Sequence, residues 1–580
     1  MGIGLPFSGE NVVDDHTKGE CLLLKMLPKP LIERAQASPH LMDYLHMIPI
    51  ATCGVPEFHP EITRKLGEIA HPNIIYPVDE HVFVHIYPDV EDPRNYYITI
   101  EPPVGLNIDE LLKEVERRLL DYVDILAEAE TEEEKAKALA LAVEMSCDVK
   151  GAAKGGNGQK QPKQKLALFS HTTGREGKVP VTPRELETLK YVVLRDKIGM
   201  GALDPLIKDS NIEDISCSGL GPVFVEHKVF KGLKSSIVFT AHEELDDFVL
   251  RLSENIKRPV TFKHPIVDAA LPDGSRINIV YGGEVSKRGS NFTIRKFSEV
   301  PISILELVNF DTLDYKMAAY LAMVVGDGMN LWVSGETASG KTTLLNALTT
   351  FIRSDAKIVT IEDTPELQVP HINWVREVVR MSGDTTSGAS VDMFGLLKAA
   401  LRQRPNAILV GEIRGEEGAV AFQAMQTGHQ VMSTFHAATV EKLIQRVTGN
   451  PINVPKPYID NLNVVVICSA VRLPSGKIGR RILSINEIIG YDLSSDSFSF
   501  VEAFRWNPAD DSFEFTGNMN SYLLENRVAP RRGLTSKDKR LIYTELEKKA
   551  SVLEKLSHQG ATNFYDLYQL LAKAGREGLF

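Results

Sequence analysis

Apolar and polar positions change their spacing several times along the chain, and these changes divide it into segments. From about residue 300 to 500, short apolar runs typical of strands alternate with segments of helical periodicity. This alternation is the pattern of a parallel sheet with helices on its faces. Residues 186–297 instead mix a helical pattern at 245–252 with strand patterns at 277–280 and 291–295. The sequence therefore predicts an α+β segment followed by an α/β core.

The first part of the chain has its own set of elements. Residues 82–87 and 96–100 have the composition of two strands. A helix is predicted next, with Asn107 and Glu110 as a capping pair. One face of this helix is apolar and carries Leu112, Val115, Leu119, Tyr122 and Leu126. We interpret residues 1–147 as an accessory α+β domain, and the pattern gives no indication of its role.

A stretch without large apolar side chains follows this domain. Residues 150–165 consist largely of Gly, Gln and Lys, and such a stretch gains too little from burial to offset the entropy lost on ordering. We therefore predict a flexible linker over 148–166, an α+β lobe over 167–299 and a core over 300–500. A basic arm that contacts anionic lipid or nucleic acid is the alternative for the linker.

The last segment again has helical periodicity, and we predict a mostly helical region over 501–580. Its apolar stripe is typical of packing against a core, and Gly560 suits the end of the helix. The stripe consists of Ile542, Leu546, Ala550, Leu553 and Leu556.

Composition and charge narrow the functional classes. The chain has 580 residues, 43% hydrophobic and 24% charged, which is ordinary for globular proteins and enough for several domains. Its net charge of −12 argues against a protein whose whole surface coats nucleic acid. The five cysteines are scattered without a Cys-x-x-Cys pair, which favours reduced thiols in the cytoplasm over a zinc site.

No segment suits export or membrane insertion. The N-terminus lacks the basic start and apolar core of a signal peptide. A spanning helix needs about 20 apolar residues, and the best candidate, 317–325, is interrupted at Gly326 and Asp327. We expect any contact with a membrane to be made through partners.

The clearest chemical motif is a glycine-rich loop with the spacing Gly-x-x-x-x-Gly-Lys-Thr. It follows a predicted strand at 331–334 and precedes a leucine-rich helix. In such a loop the backbone N–H groups surround phosphates, the lysine neutralises them, and the hydroxyl after it binds Mg²⁺. We predict that ATP is bound by Gly335, Glu336, Thr337, Ala338, Ser339, Gly340, Lys341, Thr342 and Thr343.

A dinucleotide-binding loop is the rival interpretation, and the residues do not fit it. Gly326 and Gly328 have the first two glycines of that fingerprint, but no third glycine and helix follow. A dehydrogenase is therefore not expected.

Acidic residues follow two further predicted strands. Glu362 and Asp363 come after one strand, and Glu412 comes after another. In a parallel sheet these strand ends lie at the same edge as the phosphate loop. Carboxylates at that edge can bind a metal and align an attacking water, so we predict Thr342, Asp363 and Glu412 as Mg²⁺ ligands. The alternative is that the acids only cap the helices that follow them.

The chain resembles a known protein family at four motifs, which occur in the order found in that family. Residues 408–414, Ile-Leu-Val-Gly-Glu-Ile-Arg, resemble the Walker B box of the type II/type IV secretion ATPase superfamily. Residues 426–429 and 433–436 resemble its His boxes, and 360–366 resemble its Asp box.

The resemblance covers about residues 190–500, and two segments within it indicate one branch of the superfamily. Residues 441–455 and 485–490 look most like the archaeal branch, which includes archaellum motors. It implies a RecA-like P-loop core with a preceding α+β (PAS-like) lobe. The chain would combine these with the N-terminal accessory domain and the helical C-terminal tail that its own pattern predicts. The resemblance further implies a homo-hexamer at the cytoplasmic face of a membrane, acting on an integral membrane platform protein.

The resemblance also implies roles for individual residues. Lys341 and Thr342 would hold phosphate and Mg²⁺, Glu362 would be the general base, and Glu412 would steady the metal and its waters. His436 would sense whether the γ-phosphate is present. Judged from spacing alone, His429 and His436 could share one helical face as metal ligands, but no third ligand lies nearby in the sequence.

Members of this family also supply arginines from the lobe before the core. Arg276 and Arg295 fit those positions, and an arginine that contacts transition-state charge can raise a rate by about 10³ to 10⁵. The alternative is that both are surface arginines on strand edges.

Taken together, the sequence predicts a cytoplasmic ATP hydrolase that drives type IV pilus-like filament assembly, archaellum assembly or rotation, or protein secretion. No nucleic-acid partner is expected. The alternative from another class is a hexameric ATPase that translocates nucleic acid, and a third is a nucleotide-gated scaffold that binds ATP without hydrolysing it.

Overall fold

The computed structural model describes residues 2–7, 22–63, 66–67, 69–89, 92–104, 106–127, 129, 131–149, 177–271, 273–297, 300–380, 391–578 and 580. The chain forms two compact units, Met1–Ser298 and Glu299–Phe580. The division lies next to the predicted start of the core at residue 300. Except for its first two positions, the predicted linker at 148–166 lies outside the described residues.

The first unit is built on a mainly antiparallel sheet. Its strands are β1 (Gly2–Ile3), β2 (Glu57–Phe58), β3 (Ile74–Pro77), β4 (Phe83–Tyr87), β5 (Tyr96–Ile100), β6 (Cys147–Val149), β7 (Val179–Val181), β8 (Ile212–Cys217), β9 (Gly221–His227), β10 (Lys231–Phe239), β11 (Ile266–Ala270), β12 (Arg276–Val280) and β13 (Asn291–Arg295). The order across the sheet is β11-β12-β13-β8-β9-β10-β5-β4-β3-β2; β1 pairs with β10, and β6 pairs with β7 separately.

Helices cover this sheet and bury its apolar side chains. They are α1 (Leu22–Met26), α2 (Lys29–Ala37), α3 (Pro39–Met47), α4 (Ile50–Cys53), α5 (Asp109–Leu119), α6 (Val123–Ala127), α7 (Glu132–Ser146), α8 (Pro183–Lys197), α9 (Asp204–Lys208) and α10 (His242–Asn255). Val115 and Leu119 of α5 are buried in a cluster with α7 and α8. The apolar face is therefore confirmed within α5. The helix ends at Leu119, however, so Tyr122 and Leu126, which were predicted for the same face, lie beyond it.

The predicted capping pair of α5 is wrong. The helix begins at Asp109, and its N-cap is Ile108, which makes no side-chain hydrogen bond. Asn107 consequently lies outside the helix, and Glu110 lies in its first turn rather than three residues beyond a capping side chain. The helix starts with acidic residues instead, which favour a helix N-terminus through its dipole.

The sheet joins the two ranges predicted as an accessory domain and a first lobe. Strand β5 pairs in parallel with β10, and buried polar groups reinforce this join. The hydroxyls of Tyr76 and Tyr97 donate hydrogen bonds to Oδ2 of Asp209, at 2.6 and 2.8 Å. The predicted boundary at the linker thus does not separate two sheets, because this pairing links residues far apart in sequence.

The second unit contains a largely parallel sheet. Its strands are β14 (Leu331–Gly335), β15 (Ile358–Glu362), β16 (Trp374–Val378), β17 (Ala407–Glu412), β18 (Gln430–Phe435), β19 (Val464–Arg472), β20 (Ile478–Asp492), β21 (Ser497–Asn507) and β22 (Ser512–Glu514). The order is β16-β15-β17-β18-β14-β19-β20-β21-β22. Neighbours from β16 to β19 are parallel, and those from β19 to β22 are antiparallel.

Helices pack on both faces of this sheet. They are α11 (Ile304–Asn309), α12 (Tyr315–Gly326), α13 (Lys341–Leu348), α14 (Met393–Arg402), α15 (Glu417–Gln426), α16 (Val440–Thr448), α17 (Ala529–Arg531), α18 (Leu541–His558) and α19 (Phe564–Arg576). In β14, Leu331 and Val333 join the core that contains α12 and α18, whereas Trp332 joins the core formed with α14, α15 and α16. Because both faces are covered, β14, β15 and β18 are buried along their whole length. The predicted mixed α/β class is confirmed.

The end of the chain combines strands with the predicted helices. Region 501–580 begins with β21 and β22, which extend the sheet, and becomes helical only after them. The apolar stripe of α18 is buried in the core, and Gly560 follows the helix with φ 78°. The apolar run at 317–325 lies within α12 and is buried as well. In the part of the chain that the structure describes, no helix meets the length and hydropathy needed to span a bilayer.

Candidate active site

The glycine-rich loop leads from the end of β14 into α13, as predicted. Two of its residues have left-handed backbone conformations, Ala338 with φ 61° and Gly340 with φ 91°. Gly340 is the N-cap of α13, and no side chain caps the helix. The first N–H groups of α13 are thus available to an anionic ligand, which the helix dipole also favours. The loop geometry fits a phosphate group.

Lys341 lies inside this loop rather than on its surface. Its Nζ donates a hydrogen bond to the carbonyl oxygen of Glu336, at 2.7 Å, and the Ser339 hydroxyl donates to the same oxygen, at 2.8 Å. Burial lowers the pKa of Lys341, although the charge of Glu412 opposes that shift. The loop therefore holds a cationic side chain close to the carboxylate of Glu412.

Glu412, at the end of β17, is the centre of a charged cluster. Its Oε1 lies 3.0 Å from Nε2 of His436, and its Oε2 accepts a hydrogen bond from Nη2 of Arg414, at 2.7 Å. Burial alone would raise the pKa of Glu412, but the hydrogen bond and charge of Arg414, with the charge of Lys341, lower it overall. The structure thus brings three predicted residues, Lys341, Glu412 and His436, into one cluster. Arg414 is an addition that the sequence analysis assigned no role.

Asp363 lies just beyond β15, and Arg414 joins it to this cluster. Oδ2 of Asp363 is 3.6 Å from Nη1 of Arg414. Among the residues that the structure describes, no three His, Cys, Asp or Glu side chains form a group that could hold a metal. Glu412 and Asp363 are carboxylates of the kind that bind Mg²⁺ in proteins together with phosphates and water. Thr342, Asp363 and Glu412 stay the predicted ligands.

Glu362, the last residue of β15, differs from Glu412 because it is almost fully buried. Its Oε1 accepts hydrogen bonds from the backbone N–H groups of Glu366 and Leu367, at 2.8 and 2.7 Å. Among the described residues its Oε2 has no hydrogen-bond partner, and Nε of Arg376 lies 3.8 Å away. Burial raises the pKa of Glu362 to about 7, while the two N–H groups and Arg376 oppose the shift. A carboxylate with this pKa can accept a proton near neutral pH.

Asn346 of α13 holds the segment that contacts Glu362. Its Nδ2 donates to the carbonyl oxygen of Glu366, at 3.1 Å, and its Oδ1 accepts from the backbone N–H of Gln368, at 2.9 Å. The helix that begins at the phosphate loop thereby fixes the loop that binds Glu362. The sequence analysis missed this residue, although a polar side chain within the apolar run Leu-Leu-Asn-Ala-Leu was a signal for it.

Replacing Asn346 by alanine should lower kcat/KM for ATP about tenfold, because two hydrogen bonds of about 1 kcal/mol each no longer fix the Glu366–Gln368 segment. The acidic limb of the pH profile should also move to higher pH. The N–H groups of this segment lower the pKa of Glu362, and a looser segment lowers it less. Steady-state rates between pH 5.5 and 9 test both expectations. Asn520→Ala, at an exposed position of the same unit, is the control, and an unchanged profile in Asn346→Ala would refute the positioning role.

The two predicted arginines belong to the first unit. Arg276 and Arg295 lie directly opposite each other on β12 and β13. Arg276 forms a bidentate ion pair with Asp268, with Nε–Oδ1 3.0 Å and Nη2–Oδ2 2.5 Å, and Arg295 lies opposite Asp214. Carboxylates thus offset the repulsion between these neighbouring cations. Their contact with nucleotide stays a prediction.

The two histidines do not lie on one helical face. His429 precedes β18 and His436 follows it, so the length of the strand separates them. His429 instead pairs with the Thr427 hydroxyl, at 3.0 Å from Nδ1. The spacing of seven residues therefore reflects one strand and not a pair of metal ligands.

The fold and this loop define an α/β protein whose glycine-rich turn joins a central parallel strand to a helix. Residues 197–471 match the family model described as type II/IV secretion system protein. The type IV secretion system protein PtlH of Bordetella pertussis is 32% identical over 272 residues, which cover 43% of this chain and 79% of PtlH. The chain therefore belongs to the type II/IV secretion system protein family, as the motifs predicted.

Other relatives agree with the archaeal branch. An uncharacterized protein of Methanocaldococcus jannaschii is 41% identical over 562 residues, covering 96% of this chain and 99% of the relative. A second uncharacterized protein of that organism is 44% identical over 252 residues, covering 43% of this chain and 90% of the relative. The first of these alignments includes the N-terminal region as well as the family core.

Proposed function

We propose that this protein is an ATPase that hydrolyses Mg-ATP to move proteins at a membrane. The work would be assembly of a pilus-like filament, assembly or rotation of an archaellum, or protein secretion. The observation that carries the proposal is the charged cluster beside the phosphate loop. Lys341, Glu412, His436 and Asp363 come from four separate segments, and their side chains meet at the edge of the sheet where a terminal phosphate would lie.

The residues of the site have distinct tasks in this proposal. The uncapped N-terminus of α13 and Lys341 hold the phosphates of ATP. Thr342 and Glu412 would hold Mg²⁺, and the ion would neutralise charge on the phosphates. Glu362 takes a proton from the attacking water, for which its raised pKa suits it. Arg414 lowers the pKa of Glu412 and so favours its ionised form, which is the form that would bind the metal.

The remaining parts of the proposal rest on family membership. We infer a homo-hexamer in which Arg276 and Arg295 contact the bound nucleotide. The partner would be an integral membrane platform protein, and the hexamer would sit at the cytoplasmic face of the membrane. Similarity to a type IV secretion system protein supports this assignment.

The first experiment measures phosphate release from the purified protein with ATP and Mg²⁺. We expect turnover that stops when EDTA removes the metal. Adding single-stranded DNA should leave the rate unchanged, whereas vesicles of anionic lipid that contain the platform protein should raise it. Stimulation by DNA alone would favour the nucleic-acid translocating ATPase. Tight ATP binding without phosphate release would favour the nucleotide-gated scaffold and end the proposal of a motor.

A further inference from the structure

Arg480 of β20 lies directly over the phosphate loop, although 142 residues separate it from the loop residue it contacts. Its Nε donates a hydrogen bond to the carbonyl oxygen of Ala338, at 3.0 Å. A Cβ atom added to Gly340 would lie 3.4 Å from Cδ of Arg480. The side chain thus crosses the loop between its two left-handed residues, and residue 480 itself lies outside the motifs that the sequence analysis named.

The neighbouring residue fixes the strand at this point. Arg481 is buried and points to the opposite face of β20, where its Nε and Nη2 bind the carboxylate of Asp511, at 2.8 and 2.7 Å. Its Nη1 also donates to the carbonyl oxygen of Phe310, at 3.1 Å. Because consecutive residues of a strand face opposite sides, this anchor on one side orients Arg480 towards the loop on the other.

The guanidinium of Arg480 has donors to spare. Within the described residues, only Nε makes a hydrogen bond to the protein, no carboxylate pairs with the group, and the residue is exposed. Lys341 similarly donates to a loop carbonyl, that of Glu336. Two cations are thus held on the phosphate loop by neutral oxygen atoms. Phosphate oxygens form stronger, charge-assisted hydrogen bonds with arginine than carbonyl groups do.

The order of the strands indicates which part of a nucleotide Arg480 would contact. The acidic residues end β15 and β17, on one side of β14 in the sheet, whereas β20 lies on the other side. The acids mark the side where the terminal phosphate is attacked. Arg480 therefore lies on the side of the phosphates nearer the nucleoside.

We propose that Arg480 is a nucleotide-binding residue that pairs with the α- and β-phosphates, the part that ATP and ADP share. This inference rests on the proposed function and adds a binding residue from outside the family motifs. When nucleotide binds, the guanidinium either gives up its hydrogen bond to the Ala338 carbonyl or keeps it and uses its other donors for the phosphates. In both cases Arg480 holds the phosphate loop against the bound nucleotide. It takes no part in the attack on the terminal phosphate.

The test compares nucleotide binding and turnover in the full-length protein and in Arg480→Ala. Fluorescent analogues of ATP and ADP should each bind about tenfold more weakly to the variant, the loss expected for charge-assisted hydrogen bonds at an exposed site. KM for ATP should rise by a similar factor, while kcat should change less than about twofold, because binding is lost equally in the ground and transition states. Arg480→Lys should give an intermediate loss, since it keeps the charge without the planar fork.

Arg472→Ala is the matched control, because it removes an exposed arginine from the adjacent strand of the same hairpin. It should bind both analogues as the wild type does. Equal affinities in the wild type and Arg480→Ala would overturn the inference while leaving the proposed function intact. A loss for ATP but not ADP would overturn the assignment to the α- and β-phosphates. Failure of the wild type to bind either analogue would overturn the proposed function and this inference with it.

Discussion

Replacing Glu362 by glutamine is expected to lower kcat for ATP hydrolysis about 1,000-fold, within the range that general base catalysis contributes. Glutamine has nearly the same shape and can still accept the two hydrogen bonds from the Glu366 and Leu367 N–H groups. It cannot take a proton from water. The affinity for ATP should therefore stay close to that of the wild type.

The same residue should set the pH dependence of the wild type. Burial raises the pKa of Glu362 to about 7, so a large share of the protein has this carboxyl protonated, and hence inactive as a base, at pH 6. We expect kcat/KM to rise with pH through about 7 and to level off above it, because kcat/KM reports the pKa values of the free enzyme. The residual activity of Glu362→Gln should lack this rise.

Glu366→Gln is the matched control for this prediction. Glu366 is exposed in the same loop, donates its backbone N–H to Glu362, and raises the pKa of Glu362 slightly through its own charge. Its substitution should leave kcat as it is and move the pH profile only slightly, towards lower pH. Steady-state phosphate release from pH 5.5 to 9, with nucleotide affinity measured in parallel, gives all of these values. A rate of Glu362→Gln within about tenfold of the wild type would assign the base to another group.

The sequence predicted those parts of the site that can be recognised from the residues next to them in the chain. The loop at 335–343 follows a buried strand and begins a helix, and the acids follow strands, so each could be recognised from its immediate neighbours. The parallel pairing of these strands then brings their ends to one edge of the sheet. The locations of Lys341, Glu362 and Glu412 followed from local pattern and one general rule of α/β folds.

What the sequence did not predict depends on contacts between distant segments. Asn346 and Arg480 act on residues about 20 and 142 positions away, and no local pattern specifies such partners. The pairing of β5 with β10 is equally remote in sequence. The opposite pKa shifts of Glu362 and Glu412 could not be predicted either, because both residues follow apolar strands. Burial raises the pKa of Glu362, whereas the contact with Arg414 lowers that of Glu412.

Replacing Gly335 by alanine is expected to destabilise the second unit by about 3 kcal/mol and to abolish nucleotide binding. This loss of stability is at the upper end of what overpacking a protein core usually costs. A Cβ atom at this position would lie 2.1 Å from the carbonyl oxygen of Cys468 and 2.8 Å from the Ser339 hydroxyl oxygen. Gly335 and Cys468 are paired residues of β14 and β19. Relief of the clash requires these central strands to separate, and that movement displaces the start of the phosphate loop.

Tryptophan fluorescence in urea measures this effect in the relevant unit, because all three tryptophans, Trp332, Trp374 and Trp506, lie in the second unit. Gly326→Ala is the control: a Cβ atom there would approach nothing closer than the Phe351 carbonyl oxygen, at 3.6 Å. As the last residue of α12, position 326 should tolerate alanine or gain slightly from it. An unfolding midpoint for Gly335→Ala equal to that of Gly326→Ala would mean that the strands yield at little cost. The close approach of β14 to β19 would then not be what places the phosphate loop.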